Sequence, residues 1–241
     1  PSMNNGTYFA SLRNYIVKYS NIEHISVLES PKLFHQALQT TMTLVLKKRK
    51  NKKNYIFQKN GLLIFTEKPD YLKKSFKGKT TLRDLGYSVK TGKIVWNQNK
   101  DLLTNSPDKG IPLIWAHNIT PDGLRLSHNS KKPQYIRTDN YDIGPAIVVN
   151  RIIGSVNSGK LKAAVIPEKM KFIGENHVNV IFPPNKNRQL STLFSNNDKI
   201  SINGLFKQLK SKERLKIIKY ITGNTQVSKT ELENLFPVSI N

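Results

Sequence analysis

The sequence predicts an α+β protein: a short helical and extended amino-terminal part, a long and mostly β middle, and helices from about residue 200. Three observations carry this. Apolar residues recur at spacings of three and four near both ends, short β-branched stretches fill the middle, and Gly, Pro, Asn and Asp punctuate them. No internal repeat and no low-complexity stretch is visible apart from one basic run.

The elements follow in order. Tyr8, Phe9, Leu12 and Ile16 share one face, which predicts an amphipathic helix over 7–19. Ile22 to Leu28 and Thr41 to Leu46 are apolar and β-branched, as buried strands are, and His24 is expected to pack in the core there. Lys47 to Lys53 carries too much charge to be buried and is expected to be a solvated loop or hairpin tip. From about Leu82 the texture changes to Ile94-Val95-Trp96, Leu113-Ile114-Trp115, Ile147-Val148-Val149, Ala163 to Ile166 and Val178 to Phe182. Thr91-Gly92-Lys93 between β-branched pieces reads as a hairpin tip. This spacing predicts a twisted, mostly antiparallel sheet domain whose long loops carry the binding residues. Leu205, Leu209, Leu215, Ile218 and Ile221 form a broken helical stripe stopping at Gly223. Ser228-Lys229-Thr230-Glu231 then reads as a capping box, and Phe236-Pro237 ends its helix.

Charge is the strongest functional signal. Thirty-nine Lys and Arg against sixteen Asp and Glu leave a formal net charge of +23 on 241 residues, with a pI near 10.1. Such an excess repels itself unless a polyanion neutralises it, so a nucleic acid partner is favoured. A genome rich in Lys codons, a membrane surface or an acidic protein partner would also account for it. No apolar run approaches the roughly 18 residues that cross a bilayer, and the amino terminus lacks the layout of a secretory signal. With no cysteine there is no disulfide, thiolate metal site or cysteine nucleophile, which agrees with a cytoplasmic location.

Self-contained catalysis finds no support. Neither Gly-x-Gly-x-x-Gly nor Gly-x-x-x-x-Gly-Lys-Ser/Thr occurs, and the five histidines, His24, His35, His117, His128 and His177, are scattered. His177 follows Glu175 and Asn176 in a loop-like stretch where hydrogen bonding is the expected use. Glu67-Lys68, Asp139 with Asp142, and Glu168-Lys169 lack the Glu-x-Lys spacing of a strand-flanked nuclease site. Neither a catalytic residue nor a metal site is therefore assigned.

Three stretches resemble the gamma-class N6-adenine-specific DNA methyltransferases of restriction–modification systems. The first runs Pro1-Ser2-Met3-Asn4-Asn5-Gly6-Thr7-Tyr8-Phe9 with Leu12-Arg13-Asn14-Tyr15-Ile16, continuing through Glu29-Ser30, Leu33-Phe34 and Ala37-Leu38-Gln39-Thr40-Thr41. It is similar to the end of that family's catalytic domain. The second is Leu82-Arg83-Asp84-Leu85-Gly86 with Val89-Lys90-Thr91-Gly92-Lys93-Ile94-Val95-Trp96-Asn97, followed by Pro112 to Ile119, Val149-Asn150-Arg151 and Glu175 to Val180. It is similar to the family's target-recognition domain. The third is Gly223-Asn224-Thr225-Gln226-Val227-Ser228 with Glu231-Leu232 and Phe236-Pro237, where Phe236 replaces the commoner Leu.

The resemblance implies residues 1–66 as the carboxy-terminal edge of a methyltransferase domain, a short α/β remnant with a helix and a β-hairpin. Residues 67–241 would then be a target-recognition domain ending in helices. The family's Phe-x-Gly-x-Gly cofactor loop and Asn-Pro-Pro-Tyr/Phe catalytic loop are absent, and Pro183-Pro184-Asn185 reverses the latter in the wrong half. S-adenosylmethionine binding and methyl transfer are accordingly expected upstream, in the same or a separate polypeptide, which would receive a flipped-out adenine. This chain's expected partner is double-stranded DNA, held by phosphate contacts and read by groove contacts. The candidate DNA-binding residues are Lys90, Thr91, Lys93, Asn97, His117, Asn118, Arg125, Arg151, Asn224 and Gln226. Each correct bidentate Arg, Asn or Gln contact to a base discriminates by ~1–3 kcal/mol. Plain solvation of a hairpin tip accounts equally for Lys90 and Lys93, and helix capping is the leading use for Asn224 and Gln226. Trp96 and Trp115 are expected in the core rather than as stacking platforms. Two other readings are a DNA-specificity subunit, whose duplicated recognition domains are missing here, and a nuclease with an unrecognised site.

Overall fold

The helical periodicity near both termini is realised in a computed structural model that describes residues 2–4, 9–28, 41–127, 132–151, 161–184, 200–222 and 226–240. Among these residues the α-helices are α1 (Ala10–Tyr19), α2 (Pro69–Phe76), α3 (Ile202–Leu209), α4 (Lys212–Thr222) and α5 (Lys229–Leu235). The chain forms two compact units. One gathers Pro1–Asp84 with Ser211–Ile240; the other gathers Leu85–Ile152 with Leu161–Lys210. The family resemblance implies a boundary at 66/67 and puts all the late helices in the second part. Compactness divides the chain after Asp84 and groups α4 and α5 with the amino-terminal residues.

In the first unit, α1 packs on β1 (Asn21–Leu28), which pairs antiparallel with β2 (Thr41–Lys47). A second hairpin joins β3 (Ile56–Lys59) to β4 (Leu62–Phe65). Its turn is Asn60-Gly61, both at positive φ (49° and 77°), the backbone that a two-residue turn between twisted strands requires. Ile16, Ile22, Ile25, Ile56 and Phe65 form the shared core, with Val17, Met42, Leu44 and Leu63 against it. Asn4 fastens β4 from both sides: its Nδ2 donates to the Phe65 carbonyl at 2.6 Å and its Oδ1 accepts from the Phe65 amide at 2.9 Å. His24 is exposed rather than packed, because a register shift between Ile22 and His24 turns it outward opposite Val45. Beyond Lys47 the basic run is exposed loop, with Arg49 paired to Glu23. The capping box of α5 is present: Ser228 Oγ accepts from the Glu231 amide and Glu231 Oε2 accepts from the Ser228 amide. Burial lowers the pKa of Arg13 in α1, and the Glu231 carboxylate opposes that shift.

The second unit holds β5 (Ser88–Thr91), β6 (Leu103–Thr104), β7 (Ile111–Ile114), β8 (Ile119–Thr120), β9 (Gly123–Leu124) and β10 (Tyr135–Ile136). It continues through β11 (Asp142–Ile143), β12 (Ala146–Asn150), β13 (Ala163–Ile166), β14 (Lys171–Gly174) and β15 (Val178–Phe182). One sheet has the order β13-β12-β15-β5 and is antiparallel throughout. The other has the order β11-β14-β7-β10-β6, with a single parallel pair, β14 beside β7. Every residue of β12 is buried, the apolar run Ala146 to Val149 and the polar Asn150 that ends it. Ile114, Ile119, Val148, Ala164, Ile166, Phe172, Val178 and Val180 form the core. Helix α3 lies on β12 and β13, its first turn capped by Ser201 Oγ accepting from the Gly204 amide.

The expected hairpin at Thr91-Gly92-Lys93 is not formed. After β5 the chain runs on, and Ile94 makes a parallel bridge to Glu175 before Trp96–Gln98 closes a 3-10 turn. Gly92 is there for close approach, since a Cβ on it would stand 2.0 Å from the Glu175 carbonyl oxygen.

Candidate nucleic-acid interface

Backbone pairing in the second unit draws several candidates to one edge. Because β7 and β14 are parallel, their carboxyl ends lie side by side. Residues 115–118 leave the first and 175–177 leave the second. The Glu175 amide donates to Ile114, and the Asn176 amide to Ile94, which brings the segment after β5 alongside. β12 arrives antiparallel to β15, with Asn150 opposite Val178 and the Arg151 amide donating to the His177 carbonyl. Lys93, His117, Arg151 and the 175–177 segment are thus assembled from four separate parts of the sequence.

Their states differ. Lys93 Nζ is 3.1 Å from Asn140 Oδ1 and 3.5 Å from Asp142 Oδ1, so one largely buried carboxylate already offsets its charge in part. Asn97 is exposed in the 3-10 turn. His117 is exposed, with its ring stacked 6.0 Å from that of Trp115. Burial first, then Lys132, holds the His117 imidazole below its ordinary pKa, while Glu175 opposes them. Trp115 is buried and donates Nε1 to the Pro133 carbonyl; Trp96 is half-buried beneath Lys100 Nζ. Neither indole is laid open as a platform for bases.

Asn118 is withdrawn from the candidates. It is fully buried; its Oδ1 accepts from the Trp115 amide at 2.8 Å, and its Nδ2 donates to the Arg125 carbonyl and to Gln134 Oε1, both at 2.9 Å. A side-chain amide so occupied builds the loop and has nothing left for a base. Arg125, tied to the same loop through its amide, is exposed. Lys90 lies on β5 with Nζ 4.9 Å over the Phe182 ring, and Thr91 donates Oγ1 to Asn179 Oδ1 at 3.1 Å. Thr91 is thereby a cross-strand tie within the sheet. Gln226 is exposed but belongs to the first unit, and Asn224 lies outside the described residues.

The Glu175–His177 pair escaped the sequence reading as a site. His177 Nδ1 is 2.7 Å from Glu175 Oε1, and its amide donates to Oε2 at 2.9 Å. The Glu175 side chain is 1% exposed and that of His177 50%. An acidic residue directly after the buried Phe172-Ile173-Gly174 stretch was the available signal. Among the described residues no group of three or more His, Cys, Asp or Glu could hold a metal ion, and no helix is long and apolar enough to cross a membrane.

Fold and site together define an α+β protein with a basic, imidazole-bearing edge on its β-rich unit. No family model matches the chain, and no curated protein compared with it matches.

Proposed function

We propose that this chain is the DNA-reading part of an adenine-specific (N6) DNA methyltransferase of a restriction–modification system, acting in the cytoplasm of a prokaryotic cell. The observation that carries the reading is the edge just described. Lys93, His117 and Arg151 are brought together there by backbone pairing, in a chain whose net charge is +23. Basic side chains set on loops above a rigid sheet suit a phosphate backbone, Lys93 and Arg151 as cations and His117 as a polar imidazole, and Asn97 and Arg125 are exposed nearby in sequence to reach base edges. The adenine specificity rests on the ordered motifs, from Leu12-Arg13-Asn14-Tyr15-Ile16 to Gly223-Asn224-Thr225-Gln226-Val227-Ser228. The cofactor and catalytic loops of that family have no counterpart in this sequence, so the reading assigns S-adenosylmethionine and methyl transfer to an upstream segment.

Fluorescence anisotropy on a labelled duplex tests this at two ionic strengths. With about six neutralised phosphates, affinity is expected to fall roughly a thousandfold between about 50 and 200 mM salt. An affinity that ignores salt, or no binding at the lower ionic strength, sinks the reading.

A further inference from the structure

We propose that Arg151 and His177 form one seat for a single backbone phosphodiester, with the buried Glu175 carboxylate bracing the imidazole from beneath. The inference rests on the DNA-reading role above and names a contact within it.

The Nδ1 atom of His177 stands 2.7 Å and 3.0 Å from the two Glu175 oxygens. An ionised carboxylate only accepts, so Nδ1 carries the proton and Nε2 is the nitrogen left for a ligand. The His177 amide also donates to Glu175, which fixes the ring and its backbone to the same carboxylate. On the neighbouring strand the antiparallel register continues from Asn150 opposite Val178 to the Arg151 amide donating to the His177 carbonyl. Residues directly opposite on antiparallel strands project to the same side, so Arg151 and His177 are cross-strand neighbours. Arg151 Nη1 donates to the Asn176 carbonyl at 2.8 Å, and its buried Nε finds no partner among the described residues. The guanidinium is positioned by the loop, and among the described residues no carboxylate forms an ion pair with it.

Two basic groups facing each other across a strand pair repel once the imidazole is protonated. Glu175 offsets one positive charge from below, and an anion at Nε2 offsets the other. A phosphodiester carries one negative charge and accepting oxygens that can meet the guanidinium and, in the doubly protonated ring, Nε2–H together; with Nδ1 alone protonated, Nε2 would only accept.

The test measures duplex affinity against salt for the full chain, His177→Gln, Arg151→Gln and the double variant. Each single variant is expected to weaken binding by about ten- to a hundredfold at low salt and to lower the salt slope by roughly 0.9, one phosphate's worth. The double variant is expected to lose no more slope than either single one, because both act on the same phosphate. Glu175→Gln is expected to weaken binding although it removes a negative charge. An unchanged slope in His177→Gln overturns the seat, as does a doubled loss in the double variant or tighter binding by Glu175→Gln. The half-exposed His177 side chain makes its variant safe to fold should Glu175→Gln fail to. Steep salt dependence in the wild type with an unaffected His177→Gln defeats this inference alone, whereas a wild type that ignores duplex DNA defeats the functional reading as well.

Discussion

At Gly92 the backbone passes so near residues 174 and 175 that no side chain fits between them. An added Cβ would meet the Glu175 carbonyl oxygen at 2.0 Å and the Gly174 carbonyl carbon at 2.6 Å. Neither is a flexible side-chain end that could swing away, so Gly92→Ala has to part the two segments. The expected cost is about 2 kcal/mol or more, and the displaced segment carries Glu175 and His177. Thermal and denaturant unfolding would check it, and a variant as stable as the wild type would show that the approach is not so close. Asn118 makes a related point about side chains. Its residue type suggested base reading, but its burial against Trp115, Arg125 and Gln134 turns it into loop scaffolding.

Among elements, α5 illustrates how local chemistry sets a boundary. Ser228 and Glu231 satisfy one another's amides, which fixes the first turn of a seven-residue helix that is too short to be stable by propensity. Ser228→Ala removes one half of that exchange and is expected to cost about 1 kcal/mol, read from urea unfolding. A loss under about 0.3 kcal/mol would mean that packing of Leu232 and Leu235 holds the turn unaided. Signals of this local kind made α1, β1, β12 and α5 legible from sequence; β2 forms where expected but is not the buried strand its apolar residues suggested, since Val45 and Leu46 are exposed. The hairpin assigned to Gly92 was misplaced because glycine serves close approach as well as turning, whereas the Asn60-Gly61 pair carried the stronger turn chemistry. Strands of two residues, such as β8 to β11, have no period to read; their partners define them. The site was legible only as separate polar residues beside apolar stretches. That Glu175 would be buried under His177, or that Thr80 would bridge Val238 and Arg83 Nη1 would donate to Asn234 Oδ1, depends on pairings distant in sequence.

Over the whole molecule, the excess of cations leads to opposite expectations for stability and for the proposed DNA binding as salt changes. The chain carries thirty-nine Lys and Arg and only sixteen Asp and Glu. The ion pairs at Lys73–Asp70 and Lys79–Glu213 involve acids 81% and 70% exposed, worth little each. Without a polyanion, the dominant long-range term is therefore repulsion among like charges, and added salt screens it within a Debye length of about 8–10 Å. The DNA-free chain is expected to melt at a higher temperature as sodium chloride rises toward physiological strength. Duplex DNA at about a hundredfold excess over its dissociation constant is expected to add roughly 2.7 kcal/mol, or about 5–10 °C in Tm. That increment must shrink with the same salt that stabilises the free chain, because counterion release supplies it. Melting curves with and without duplex across one salt series should therefore converge. If salt lowered both curves together, like-charge repulsion would not be the governing term in the free chain, and the positive surplus would have to be neutralised by bound anions rather than screened by salt.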